Sequence, residues 1–204
     1  MATEAIPELM DELTPYLQEQ FPGAVQEAPE PFRGLIVDRD ELVAVATHLR
    51  DELGYKYLAS VTAVDYPEAS DELPPRFEVV YHLYQGEGGP LTLHVHADRE
   101  DPTVPSLVPV FDSANFQERE AWDLMGIRFD GHPNLRRILL WDGFVGHPLR
   151  KDFKEVYYEE DDKPFRSRYP KGGEPVMAES RAPLGRNLRY PSGFTMDDWR
   201  PTAD

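Results

Sequence analysis

Three carboxylates and a guanidinium crowd one short stretch: Glu118, Arg119, Glu120 and Asp123 lie within Asn115–Gly126. Neighbouring carboxylates can divide acid and base work when their surroundings push their pKa values apart. Here Arg119 stands beside Glu120 and about one helical turn from Asp123, and the sequence carries neither a nucleophile elbow nor a phosphate-binding glycine loop. Structural ion pairing is therefore the favoured reading. The second chemistry to weigh is metal binding. His94-Val95-His96 sets two imidazoles on one face of a strand, with His82 on the neighbouring strand able to join them. Nothing in the sequence supplies an evident outer layer of ligand-orienting groups, so the polar face of a half-buried sheet accounts for them better. His48 falls on a helix surface.

The carboxylates need an element to hold them. Asn115 can cap a helix, Glu118 follows three residues later, and Gly126 stops it. At about 100° per residue, Arg119, Glu120 and Asp123 share one face, while Phe116, Ala121, Trp122, Leu124 and Met125 spread over the rest. Little of this helix should face water. Glu118 projects into the apolar arc, where a carboxylate needs a cation, several hydrogen bonds or a raised pKa. Cations lie just downstream. Gly131-His132-Pro133-Asn134-Leu135-Arg136-Arg137 and Gly146-His147-Pro148-Leu149-Arg150-Lys151-Asp152 share a Gly-His-Pro start and a basic pair after a leucine. A residue before proline is driven to extended backbone, so His132 and His147 belong to turns or extended segments and should make turn-stabilising hydrogen bonds. Two such hooks could clamp the acidic helix.

The elements before this segment read as one α+β domain over residues 1–153. A helix over 7–21 is interrupted by Pro15, with Thr14 as a second cap, so a kink or two short helices is expected. Gly34–Val37 reads as a strand. Asp38 caps a helix lined by Leu42, Val45, Ala46, Leu49 and Leu53, and Gly54 ends it. Three strands follow over Tyr57–Tyr66, Phe77–Tyr84 and Leu91–Ala97, the last two alternating and joined by a glycine-rich hairpin at Gln85–Pro90. The expected fold is a mostly antiparallel sheet with helices packed on one face. From residue 154 to 204 the periodicity dissolves into prolines, glycines and aromatics interleaved with arginines, which reads as an extended arm ordered against a partner surface.

Composition narrows the partners. The chain of 204 residues has no cysteine, which excludes thiolate-held iron–sulfur clusters, thiol catalysis and disulfides on it. No run of some 18 apolar residues suits a membrane span, and the acidic N-terminus lacks a signal region, so export is not expected. A net charge of −17 argues against nucleic acid and anionic lipid as partners. Residues 1–100 carry 20 acids against 6 Lys+Arg, whereas 101–153 carry 8 against 6, and a dense balanced segment favours ion pairs over solvation.

The same segment resembles a known family, the 30 kDa-type subunit of the proton-pumping NADH-quinone oxidoreductase, respiratory complex I. The likeness is carried by Glu118-Arg119-Glu120, Trp122-Asp123-Leu124, Gly126-Ile127, Gly131-His132-Pro133, Leu135–Leu139 and Gly146–Asp152, and upstream by Asp101-Pro102, Pro105-Ser106-Leu107 and Ala114-Asn115-Phe116. More weakly it reaches Asp65-Tyr66. Departures are small: an aromatic is common where Met125 stands, and tryptophan at Phe116. The resemblance implies a non-catalytic subunit with no flavin, cluster or quinone of its own. It would sit in the hydrophilic arm on the cytoplasmic side of the cell membrane. Its neighbours would be the large hydrogenase-like subunit and the smaller cluster-bearing one, with the C-terminal arm wrapping a partner. The equivalent component of a ferredoxin- or hydrogenase-linked membrane complex is the alternative within the family, and a free-standing hydrolase or metalloprotein the alternative outside it.

Overall fold

The computed structural model describes residues 5–29, 33–68, 74–86 and 90–154. Beyond Lys154, the arm expected over 154–204 lies outside them. In chain order the elements are α1 (Ala5–Gln20), β1 (Val25–Glu27), β2 (Leu35–Val37), α2 (Leu42–Asp51), β3 (Tyr57–Tyr66), β4 (Arg76–Tyr84), β5 (Pro90–Asp98), β6 (Thr103–Pro105), α3 (Ala114–Met125) and β7 (Arg128–Asp130).

Period-two alternation builds the central sheet, whose strand order is β1-β2-β5-β4-β3. The hairpin register pairs Phe77 with Ala97, Val79 with Val95, Tyr81 with Leu93 and Leu83 with Leu91, so one face carries an unbroken apolar row. Val61 and Leu35 extend it outward on β3 and β2. All of these side chains are buried. Leu17 of α1, Leu42, Val45, Ala46 and Leu49 of α2, and Ala114, Ala121 and Met125 of α3 complete the same core. The α+β architecture matches the expectation. The sheet is mixed, however, because β2 joins β5 in parallel, and a second small sheet pairs β6 with β7 in parallel. β1, β6 and β7, three residues each and without an apolar run like that of β2, carry too little alternation to be seen in sequence.

Two local readings differ from the structure. Pro15 lies inside one helix rather than dividing it. Its missing N–H costs one bond, but Leu13, Thr14 and Leu17 around it are buried, and that packing carries the element through. Asp38 does cap, but its Oδ1 accepts from Asp40 N at 2.8 Å, heading a 3-10 turn over Arg39–Glu41 that runs into α2.

β3 is an edge strand, and its exposed backbone is occupied by α3. Gln117 Oε1 accepts from Val61 N at 2.6 Å, and Ser113 Oγ donates to Leu58 O at 3.0 Å. These bonds set the height and azimuth of α3 against the sheet. The segment that follows β7, a strap over residues 131–153, contains neither helix nor strand, so its backbone must be held by other elements, α3 chief among them.

Candidate functional site

Helix α3 starts one residue before the expected cap. Ser113 is the N-cap, without a side-chain capping bond, because its hydroxyl is engaged with β3. Glu118 is accordingly not half of a capping box. It is fully buried and turned toward the loop after β6, where its carboxylate accepts from Ser106 Oγ at 2.6 Å and Leu107 N at 2.7 Å. Burial raises its pKa to about 7, and those two hydrogen bonds only partly offset the effect. The hooks do not reach it. Tyr81 lies close enough for the Glu118 charge to matter. Burial first, and that charge second, push its phenol well above the usual range.

Asp123, on the opposite side of the helix, is the hub. Its Oδ1 accepts from Arg137 Nη1 at 2.7 Å, and its Oδ2 accepts from three consecutive backbone amides, Ile138, Leu139 and Leu140, at 3.0, 2.9 and 3.0 Å. Successive N–H groups converging on one oxygen form an anion-binding concavity. Burial works to raise the pKa of Asp123, but the three amides and Arg137 outweigh it and hold the group below the usual carboxylate range. Arg137 reaches on to Phe144 O at 3.2 Å. Arg119, expected to pair with a carboxylate, donates instead to the carbonyls of Arg136 and Arg137 at 3.1 and 3.4 Å. Glu120 is exposed to solvent rather than part of the buried set.

The second hook closes the C-terminal end of α3. The last four carbonyls of a helix lack intrahelical partners, and here each has one. Gly126 N serves Trp122 O, His147 Nδ1 serves Asp123 O at 3.0 Å, Leu149 N serves Leu124 O, and Arg150 Nε serves Met125 O at 2.7 Å. A cation at this end also complements the helix dipole. The arrangement requires Gly126: its φ of 75° is left-handed, and a Cβ there would lie 2.6 Å from both the Arg150 guanidinium and the His147 ring. Burial lowers the His147 pKa, which suits an imidazole donating to a carbonyl while neutral. His132 makes the expected turn bonds, Nε2 to Asn115 O at 3.1 Å and Nδ1 accepting from Asn134 N at 3.0 Å.

Within each basic pair the two members part company. Arg137 and Arg150 turn inward, whereas Arg136 and Lys151 contribute only backbone groups and expose their side chains. Lys151 N donates to Asp65 Oδ2 at 2.8 Å, tying the strap to the end of β3. Asp65 is also gripped by Arg99 through two bonds of 2.9 and 3.1 Å, and Arg99 in turn pairs with Asp152 at 3.1 Å. Asp65, Arg99, Ser106 and Gln117 were not singled out as site residues in the sequence. Only the family likeness around Asp65-Tyr66 and Pro105-Ser106-Leu107 touches two of them.

The histidines of the sheet lie on its other face. His94 Nδ1 meets Glu78 Oε1 at 2.7 Å and His96 Nε2 meets Glu78 Oε2 at 3.5 Å, while His82 Nδ1 is 2.9 Å from Ser60 Oγ. Burial of Glu78 is outweighed by its two imidazole hydrogen bonds, and its pKa falls to about 2. Among the described residues no three His, Cys, Asp or Glu side chains converge as a metal site, and no helix is long and apolar enough to cross a membrane.

Fold and site together define an α+β domain that fastens a long irregular strap to one helix through buried charges. The chain belongs to the family described as the 30 Kd subunit of respiratory-chain NADH dehydrogenase, whose model matches residues 35–159. It is 48% identical over 146 residues to an NADH-quinone oxidoreductase subunit of Moorella thermoacetica, covering 71% of this chain and 95% of that one. Among solved structures it is similar to the trypsin-resistant fragment (1-134) of Nqo5, with a TM-score of 0.51 and 31% identity over 62% of this chain and 98% of that one. The fold also recurs, at 22% identity and a TM-score of 0.58, in a chain of the membrane-bound sulfane sulfur reductase, an archaeal respiratory membrane complex. That match covers 75% of this chain and 97% of the other.

Two stability experiments follow. Asp123→Ala strands Arg137 and three amides, and should cost about 3–5 kcal/mol in urea denaturation. Glu120→Ala, at an exposed position, should stay within about 0.5 kcal/mol; equal effects would contradict the geometry. For Glu118 the folded pKa of about 7 lies above its ordinary value, so the folded state binds the extra proton. That stability is complete at low pH and is lost as pH rises through about 7. Comparing wild type with Glu118→Gln cancels the other titrating groups. The variant should gain on wild type between pH 5.5 and pH 8, and a constant difference would refute the assignment.

Proposed function

We propose that this chain is a non-catalytic, cofactor-free subunit of the hydrophilic arm of a proton-translocating NADH-quinone oxidoreductase. It lies on the cytoplasmic side of the membrane, against the large hydrogenase-like subunit and the smaller cluster-bearing one. Flavin and iron–sulfur clusters on those and other partners carry electrons from NADH to quinone, and this chain shapes and holds the arm. The observation that carries the reading is how the charged groups of α3 and its strap are spent. Asp123, Arg119, Arg137, His147 and Arg150 satisfy backbone groups of the chain itself. Glu118, the carboxyl with the raised pKa, is sealed from solvent. A group that must meet substrate is accessible in the resting state or becomes so; these groups are occupied in holding shape. The name carried by the Moorella thermoacetica relative supports the membership in an NADH-quinone oxidoreductase on which this role is built.

The test separates assembly from chemistry. Arg137→Ala removes the cation partner of a fully buried carboxylate and should lower the amount of assembled complex in membranes. NADH–quinone turnover per assembled complex should remain at the wild-type value. Normal assembly with loss of quinone reduction alone would overturn the proposal, since it would make the residue a participant in the reaction.

A further inference from the structure

Apolar side chains of the strap and of α3 also stand exposed. Leu139, Val145 and Leu149 stand 59%, 58% and 56% exposed, and Phe116 on α3 stands 67% exposed. They make up four of the six large hydrophobic side chains that are exposed among the described residues. Each is anchored close by. The Phe116 ring lies 5.3 Å from the Arg119 guanidinium, which holds the carbonyls of Arg136 and Arg137. Leu139 follows on the Asp123 oxygen, and Leu149 N is fixed to Leu124 O on the same helix. Val145 follows Phe144, whose carbonyl is held by Arg137. Each apolar side chain thus grows from backbone, or from a helix, that is already immobilised, so covering it costs little further ordering.

Charge indicates what covers it. Over residues 131–154 the chain has five Lys+Arg against two Asp, in a protein of net charge −17. The exposed cations are Arg136, Lys151 and Lys154, and of the two exposed carboxylates Asp152 is already paired with Arg99. The patch is apolar with a cationic rim, on an otherwise acidic molecule. An isologous contact between two copies would set those cations against one another. The overall negative charge disfavours nucleic acid and anionic lipid.

We infer that this face, Phe116, Leu139, Val145 and Leu149 within the rim of Arg136, Lys151 and Lys154, is the docking surface for one protein subunit of the assembly. The matching surface on that subunit is apolar and edged by carboxylates. The inference rests on the proposed role within an assembly and adds which face is used and what chemistry meets it.

The experiment uses the full-length tagged chain produced in its own cells. Leu139→Glu with Leu149→Glu places carboxylates where the partner presents carboxylates. Both positions are exposed, so the thermal midpoint of the purified variant should stay within about 3 °C of wild type. Recovery of the other oxidoreductase subunits, quantified by mass spectrometry, should fall about tenfold or more. Ala44→Glu, exposed on α2, should leave recovery unchanged. On the unaltered chain, a zero-length carbodiimide should join Lys151 or Lys154 to a carboxylate of another subunit, and Lys151→Gln with Lys154→Gln should remove that product. If the double glutamate variant melts lower, the crosslink on the unaltered chain decides. Wild-type recovery with the double variant overturns the docking face. So do crosslinks that run only to residues 155–204 of the same chain or to a second copy. If the wild-type chain brings down no oxidoreductase subunit, the proposed function itself fails, and that outcome is distinct from the others.

Discussion

A carboxylate wholly withdrawn from water, meeting a stretch of backbone with no secondary structure of its own, is the constraint on which this domain turns. A buried charge is tolerable only with partners, and irregular backbone near a core must place its N–H groups somewhere. Asp123 and residues 138–140 resolve each other's difficulty: one oxygen accepts three amides while the other takes Arg137. The rest of the strap follows the same logic with the signs reversed. Free carbonyls at the end of α3 are taken by His147, Leu149 and Arg150, and free carbonyls of the strap by Arg119.

The order of dependence runs outward from the sheet. Alternation in β4 and β5 makes the apolar face, and β3 closes that face while leaving an unpaired edge. Gln117 and Ser113 cover the edge and thereby seat α3. Asp65 then reaches from the end of β3 to Lys151 N, fastening the far end of the strap to the strand that positioned its near end. The loop closed in this way, from strand to helix to strap and back to strand, explains how an irregular segment can hold apolar side chains outward without collapsing over them. Glu118 stands apart from this circuit. It joins α3 to the loop after β6 and carries no cation.

Much of this was legible in the sequence where a pattern repeats. Phe77, Val79, Tyr81 and Leu83 alternate, and Leu42, Val45, Ala46 and Leu49 recur at helical spacing, so the sheet hairpin and α2 were readable with nearly correct bounds. The density of balanced charge after Asn115 marked the strap. What could not be read was direction. Arg136 and Arg137 are chemically equivalent in a string of letters, and only the seating of α3 decides which one meets Asp123. Glu118 and Glu120 differ by two positions, about 200° around a helix, so a small error in the assumed buried face reverses their roles. Asn115 lost the cap to Ser113 because the edge of β3, remote in sequence, fixes the start of the helix. β1, β6 and β7 each span three residues, too few for a period to show.

The most direct measurement is residue-resolved amide hydrogen exchange across residues 136–141 in wild type and Asp123→Asn. If Asp123 holds the strap, Ile138, Leu139 and Leu140 are protected in wild type despite lying outside any helix or strand. All three should then exchange about tenfold faster or more in the variant, while amides of β4 and β5 keep their protection. Free-peptide exchange at these three positions in wild type, or unchanged protection in the variant, would contradict the account.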